Sequence, residues 1–169
     1  MSSTRRRFLR NSTLALGGSM AFSNKLLALN KSKGLVGIQL YCVRNEMKSN
    51  PLDTLQQLAK MGYKNVEHAN YVDRKLYGYS PSEFKKILDD LGLKMHSGHT
   101  VMNAGHWDAS AKDFTDKWKY TVEDAAVLGQ QYVISPWLDE SLRKNYDDLL
   151  GFLDLFNKSG ELCKKSDMK

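Results

Sequence analysis

The chain has 169 residues, 41% of them hydrophobic, and a formal charge of +6; this leaves room for one domain with its own core but falls short of the ~250 residues of a closed eight-stranded βα barrel. Arg5, Arg6, Arg7, Arg10 and Lys25 stand in residues 1–30 without an acid among them, so the remaining body is nearly neutral. Such a body lacks the phosphate-neutralising surface that nucleic-acid binding needs.

The first segment, residues 1–30, reads as an export signal and link. Thr4-Arg5-Arg6-Arg7-Phe8-Leu9-Arg10 is a charged start, and Ser12–Ala21 is a weakly apolar run ending in small residues, too short and interrupted for a membrane span. It resembles a twin-arginine signal with Arg5-Arg6 as the pair and Phe8-Leu9 behind it, which implies an exported, periplasmic protein. No Cys follows the run, so no lipid anchor and no stable membrane attachment are expected.

Residues 31–169 repeat one unit four times. A helix ends at Gly, one or two polar residues follow, and a run of β-formers stops at a polar or aromatic residue: Gly34–Tyr41, Gly62–His68, Gly92–Ser97 and Gly129–Ser135. Strands and helices alternating at this spacing predict βα units and a parallel sheet.

After the first strand, Asn50-Pro51-Leu52-Asp53 supplies an N-cap, a proline at the first helical position and an acid in the first turn. Ser80-Pro81-Ser82-Glu83 repeats the device as a capping box ahead of the next helix. Gly62 and Gly92 end these two helices. Their apolar stripes are Leu52, Leu55, Leu58 and Ala59, then Phe84, Ile87, Leu88 and Leu91. A third helix is predicted over about Ala111–Leu128 and a fourth over about Asn145–Cys163. Met168-Lys169 falls where a fifth strand is expected to begin. Cys42 and Cys163 are too few for a disulfide framework and are read as packed thiols.

The segments after the strands are the long ones: Cys42–Ser49, Ala69–Tyr79, Gly98–Ser110 and Pro136–Lys144. Active sites of barrels and open α/β sheets lie at that end. Strand alternation places Gln39 with Tyr41, Ser97 with His99, and Ser135 with Trp137 on common faces.

Four ordered segments, Gly37-Ile38-Gln39-Leu40-Tyr41-Cys42-Val43-Arg44, Gly62–Glu67, Leu91–His99 and Tyr132–Trp137, resemble the first four strands of the xylose isomerase-like TIM barrels, the sugar phosphate isomerases/epimerases. The resemblance implies a (β/α)8 barrel of which the first four βα units are present. It also implies a divalent metal (Mn, Mg, Zn or Co) in the full barrel and isomerisation or epimerisation by proton transfer next to a sugar carbonyl. The family's Glu, Asp, His and Glu metal ligands belong to the last four strands, so none is carried over here, and stable metal binding by this half is not expected.

Gln39, Tyr41, Glu67, His99 and Trp137 are therefore the expected sugar-binding wall. The plainer alternative is that such strand-end residues bond to neighbouring loops and that Trp137 caps the core. His96, His99 and His106 invite a zinc reading, but their spacing is not diagnostic. His99 is the candidate ligand by analogy with the endonuclease branch of the fold. His106 reads as a loop residue and His68 as packed beneath a helix. Rival functions are a lyase or hydrolase of 3-keto sugars, an abasic-site endonuclease disfavoured by charge and export, and a non-catalytic sugar-binding half-barrel. The inward face of a half-barrel, including Ile38, Leu40 or their neighbours, is expected to lie open and, with two unpaired edges, to favour homodimers or aggregates.

Overall fold

The computed structural model describes residues 36–140 and 143–169; the export signal read in residues 1–30 lies outside the described residues. The elements in chain order begin with β1 (Gly37–Gln39), α1 (Arg44–Ser49), α2 (Pro51–Lys60) and β2 (Asn65–His68). There follow α3 (Pro81–Asp90), β3 (Lys94–His99), a small hairpin of β4 (Trp107–Asp108) and β5 (Asp113–Phe114), α4 (Asp116–Val127), β6 (Tyr132–Ile134) and α5 (Tyr146–Lys164).

The main sheet is parallel with order β1-β2-β3-β6, each strand added beside its predecessor. Helices that return the chain in this way wind the sheet as the first four units of a (β/α)8 barrel do. Among the described residues no helix is long and apolar enough to cross a membrane.

The helix boundaries follow local chemistry. Asn50 Oδ1 accepts from Asp53 N at 3.2 Å before Pro51, and Ser80 with Glu83 forms a reciprocal capping box before Pro81; each such cap contributes about 1 kcal/mol. Gly62 and Gly92 take φ of 98° and 66°, the left-handed turn that ends α2 and α3.

Between sheet and helices lies a core of Leu40, Met47, Leu55, Leu58, Val66, Phe84, Leu88 and Met95. Full burial of a side chain such as Phe84 contributes about 1.5–3 kcal/mol. A second cluster joins the hairpin, α4 and α5 through Phe114, Trp118, Val122, Phe152 and Cys163. Inside it, Trp118 Nε1 donates to Ser159 Oγ at 2.8 Å, so the indole N–H is satisfied.

Four expectations need correction. Leu40 is fully buried and Ile38 packs against the same core, so these residues face the helices and not the open side of the sheet. Ile38 pairs with Val66, whereas the opposite parity, Gln39 with Glu67, takes the other face. The strand ends at Gln39 and a 3-10 turn covers Leu40–Val43, so alternation does not extend to Tyr41. The third helix begins at Asp116, because residues 107–114 form the hairpin, with Asp108 Oδ1 accepting from Ser110 N and Ala111 N. Finally, Cys163 is buried, but Cys42 is exposed and not packed.

Candidate functional site

Four side chains on the sheet face opposite the described helices meet at the C-terminal ends of three strands. Ser97 pairs in register with Glu67, and Glu67 with Gln39. The register slips between β2 and β3, where Asn65 to Glu67 is matched by Lys94 to Ser97. That extra residue is a bulge, and it lets Met95 and Gly98 both face the helices while Ser97 and His99 both face the other side.

The hydrogen bonds have one direction. Tyr41 N can only donate, so Gln39 Oε1 accepts from it and the Gln39 amide turns its NH2 to His99 Nδ1, 3.1 Å away. Since Nδ1 accepts, His99 carries its proton on Nε2, which lies 3.0 Å from Glu67 Oε1. Ser97 Oγ donates to Glu67 Oε2. Both oxygens of Glu67 thus accept from the protein, and the carboxylate terminates the series. The side chains of His99 and Glu67 are 27% and 22% exposed, so they are held by the scaffold yet open to a ligand.

Behind this patch His68 is buried on the helix side. Burial, and secondarily the nearby His99, lower its pKa to about 4, so it stays neutral. It is the packed histidine expected from the sequence. His106 also sits as expected in a loop, a 3-10 turn, where its Nδ1 accepts from Asn103 N at 3.1 Å and its ring lies against Trp118; burial lowers its pKa. His96 lines a shallow groove with Leu88 and Gly129 and has no part in the patch.

Tyr41 and Trp137 are placed differently from Gln39, Glu67, Ser97 and His99. Tyr41 touches the patch only through its backbone N–H; its ring is exposed with the Arg44 guanidinium 4.7 Å above it. Trp137 lies past the end of β6 and is 56% exposed. Ser135 closes its own loop, accepting from Met102 N and donating to the Trp137 carbonyl, both at 3.1 Å.

One determinant had no sequence reading. The loop after β2 is fastened to α4 by the buried Asp124, which accepts from Tyr71 Oη at 2.6 Å and from Arg74 Nη2 and Nε at 2.6 and 3.0 Å. Arg74 also covers the Tyr120 ring at 4.1 Å. The signal that could have found it is a lone Asp on the apolar face of a helix.

No protein-family model matches the chain, and no curated protein does. Solved structures do. Two structures of sugar phosphate isomerase/epimerase from Parabacteroides distasonis are 25% and 26% identical, with TM-scores of 0.63 and 0.64. They match 79% and 78% of this chain and 48% and 50% of their own. D-psicose 3-epimerase, solved in the presence of D-fructose, is 14% identical with a TM-score of 0.54 over 79% of this chain and 50% of that one, a likeness of fold. The chain spans about half the length of the structures it matches.

The donor set decides whether the divalent metal implied by the resemblance has a place here. Among the described residues no group of three or more His, Cys, Asp or Glu side chains is gathered to hold an ion. Glu67 and His99 bring two donors, already bonded to one another. The described residues do not by themselves fit a metal.

Proposed function

We propose that this chain carries the sugar-facing wall of a sugar isomerase/epimerase-type barrel, with Gln39, Glu67, Ser97 and His99 meeting the hydroxyls of the sugar. The observation that carries the reading is the one-way hydrogen-bond series that ends on Glu67 at the C-terminal ends of the strands. Sugar hydroxyls both donate and accept. A carboxylate with its orientation fixed from two sides accepts from them directionally, and the Ser97 hydroxyl oxygen and the Gln39 amide add adaptable partners. Isomerisation moves a proton at carbon beside a carbonyl, and a carboxylate in hydrogen-bond reach of that carbon is suited to move it.

Because both Glu67 oxygens already accept from the protein, the patch is equally built to bind sugar without turning it over. The test is titration of the full chain with D-fructose and with D-psicose, followed by calorimetry and by the NMR signals of Gln39 and His99, with an interconversion assay in added Mn²⁺. Binding that shifts those signals and weakens in Glu67→Gln and Ser97→Ala supports the wall. Interconversion of the two ketoses assigns turnover to this chain, and binding without it assigns recognition alone. Sugar affinity indifferent to both substitutions sinks the reading.

A further inference from the structure

Among the described residues two buried side-chain atoms lack a hydrogen-bond partner in the protein, His68 Nδ1 and Gln130 Oε1. Their residues are only 3% and 4% exposed. Leaving such an atom unbonded is costly, and nearly all buried polar groups of folded proteins are satisfied by the protein or by ordered water.

Both side chains line one small cavity between the sheet and α4, together with Thr100, Thr121, Ala125 and Val133. Its volume of about 10 Å³ is room for the centre of one water molecule and for nothing larger. The two atoms face this cavity's lining yet do not bond to each other, so they stand beyond direct reach. Neither side chain is free to close the gap. The His68 ring is pressed against β3 at Gly98, where a Cβ would stand 1.8 Å from Nε2. Gln130 is fixed twice, its backbone N donating to the Ala125 carbonyl at 3.0 Å and its Nε2 to the Met95 Sδ at 3.4 Å.

The chemistry of the lining selects the occupant. Gln130 Oε1 can only accept, so the group between must donate to it. His68 Nδ1 accepts in one neutral tautomer and donates in the other, and water answers either, giving its second proton or accepting one. None of the described lining residues is a carboxylate, so nothing there balances a cation.

We infer that this cavity is the binding site of one internal water, which donates to Gln130 Oε1 and hydrogen-bonds His68 Nδ1. The water joins the end of β2 to the turn between α4 and β6. Since His68 directly follows Glu67 and backs on Gly98, between Ser97 and His99, it braces the strands from which the polar patch projects. The site stands on these atoms alone and does not depend on the proposed function.

The experiment uses the full chain. Water–protein cross-relaxation spectra read whether a long-lived water lies against the His68 ring and the Thr100 and Thr121 methyl groups, and a high-resolution crystal structure reads its position. Cross-peaks of the sign given by bound water are expected, with density at hydrogen-bond distance from both His68 Nδ1 and Gln130 Oε1. Gln130→Met keeps the length of the side chain and removes the acceptor; it should abolish the cross-peaks, shift the His68 ring nitrogen signals and lower the urea midpoint. The spectra of the parent chain decide the matter by themselves should the variant fail to fold. No cross-peaks and no density in the parent overturn the site, as does a Gln130 amide bonded directly to His68. Cross-peaks that persist unchanged in Gln130→Met overturn the role of Gln130 as the acceptor.

Discussion

Gly98 has no side chain at the point where the His68 imidazole packs against β3: a Cβ on Gly98 would stand 1.8 Å from His68 Nε2. The ring is only 3% exposed and has nowhere to retreat without opening the core. Gly98→Ala should therefore cost about 3 kcal/mol, the upper end of overpacking effects. A urea midpoint equal to that of the parent chain would show that the ring moves freely.

His68 also gives stability a pH dependence. Its pKa lies at about 4 in the folded chain against an ordinary 6.5, lowered first by burial and then by His99. The unfolded chain therefore binds the extra proton first. Stability is unaffected above about pH 6.5, declines as the pH falls from there, and levels off below about 4, a loss on the order of 3 kcal/mol. His68→Gln should flatten the parent-minus-variant difference across that window. An unchanged slope would place the titration elsewhere.

The hydrogen bond between Gln39 and His99 makes a spectroscopic demand. The neutral His99 ring should show the Nε2–H tautomer in nitrogen-15 spectra, and Gln39→Leu should release a mixture of tautomers. A pure Nδ1–H ring in the parent chain contradicts the direction of the series.

Asp124 ties Tyr71 and Arg74 to one carboxylate, so their contributions should be coupled. Tyr71→Phe is expected to cost about 1–2 kcal/mol. Combined with Asp124→Ala it should cost less than the two separately, the difference exceeding about 0.5 kcal/mol. Strict additivity in a double-mutant cycle argues against the latch.

Arg5-Arg6 carries the export reading. Replacing both by Lys should leave the protein in the cytoplasm when fractions are compared by blotting. Normal export of that variant removes the twin-arginine assignment.

Much of the fold was legible because its signals are local. Asn50-Pro51 and the Ser80–Glu83 box start helices where the sequence says they do, and Gly62 and Gly92 end them. Glu67 and His99 could be placed together since both end strands of the same repeat. Tyr41 could not, because the turn that follows Gln39 depends on which atom the Gln39 amide caps. The bulge in β3 and the hairpin at 107–114 escaped for a related reason: both are settled by pairing with residues distant in the chain or by one Asp side chain, and periodicity reports neither. The Asp124 latch joins residues about 50 positions apart, beyond the reach of any spacing rule that a single sequence displays.

The order β1-β2-β3-β6 has a kinetic consequence. Every strand of the main sheet meets a neighbour only 28 to 35 residues away along the chain, so each pairing closes a loop of that length and none must await a more distant segment. Such a sheet can be assembled in the order in which a ribosome releases it, each βα unit docking on the one already formed. Gln39 is then already in register beside Glu67 before Ser97 and His99 arrive as its hydrogen-bond partners, and the polar patch is completed as soon as the third strand leaves the exit tunnel.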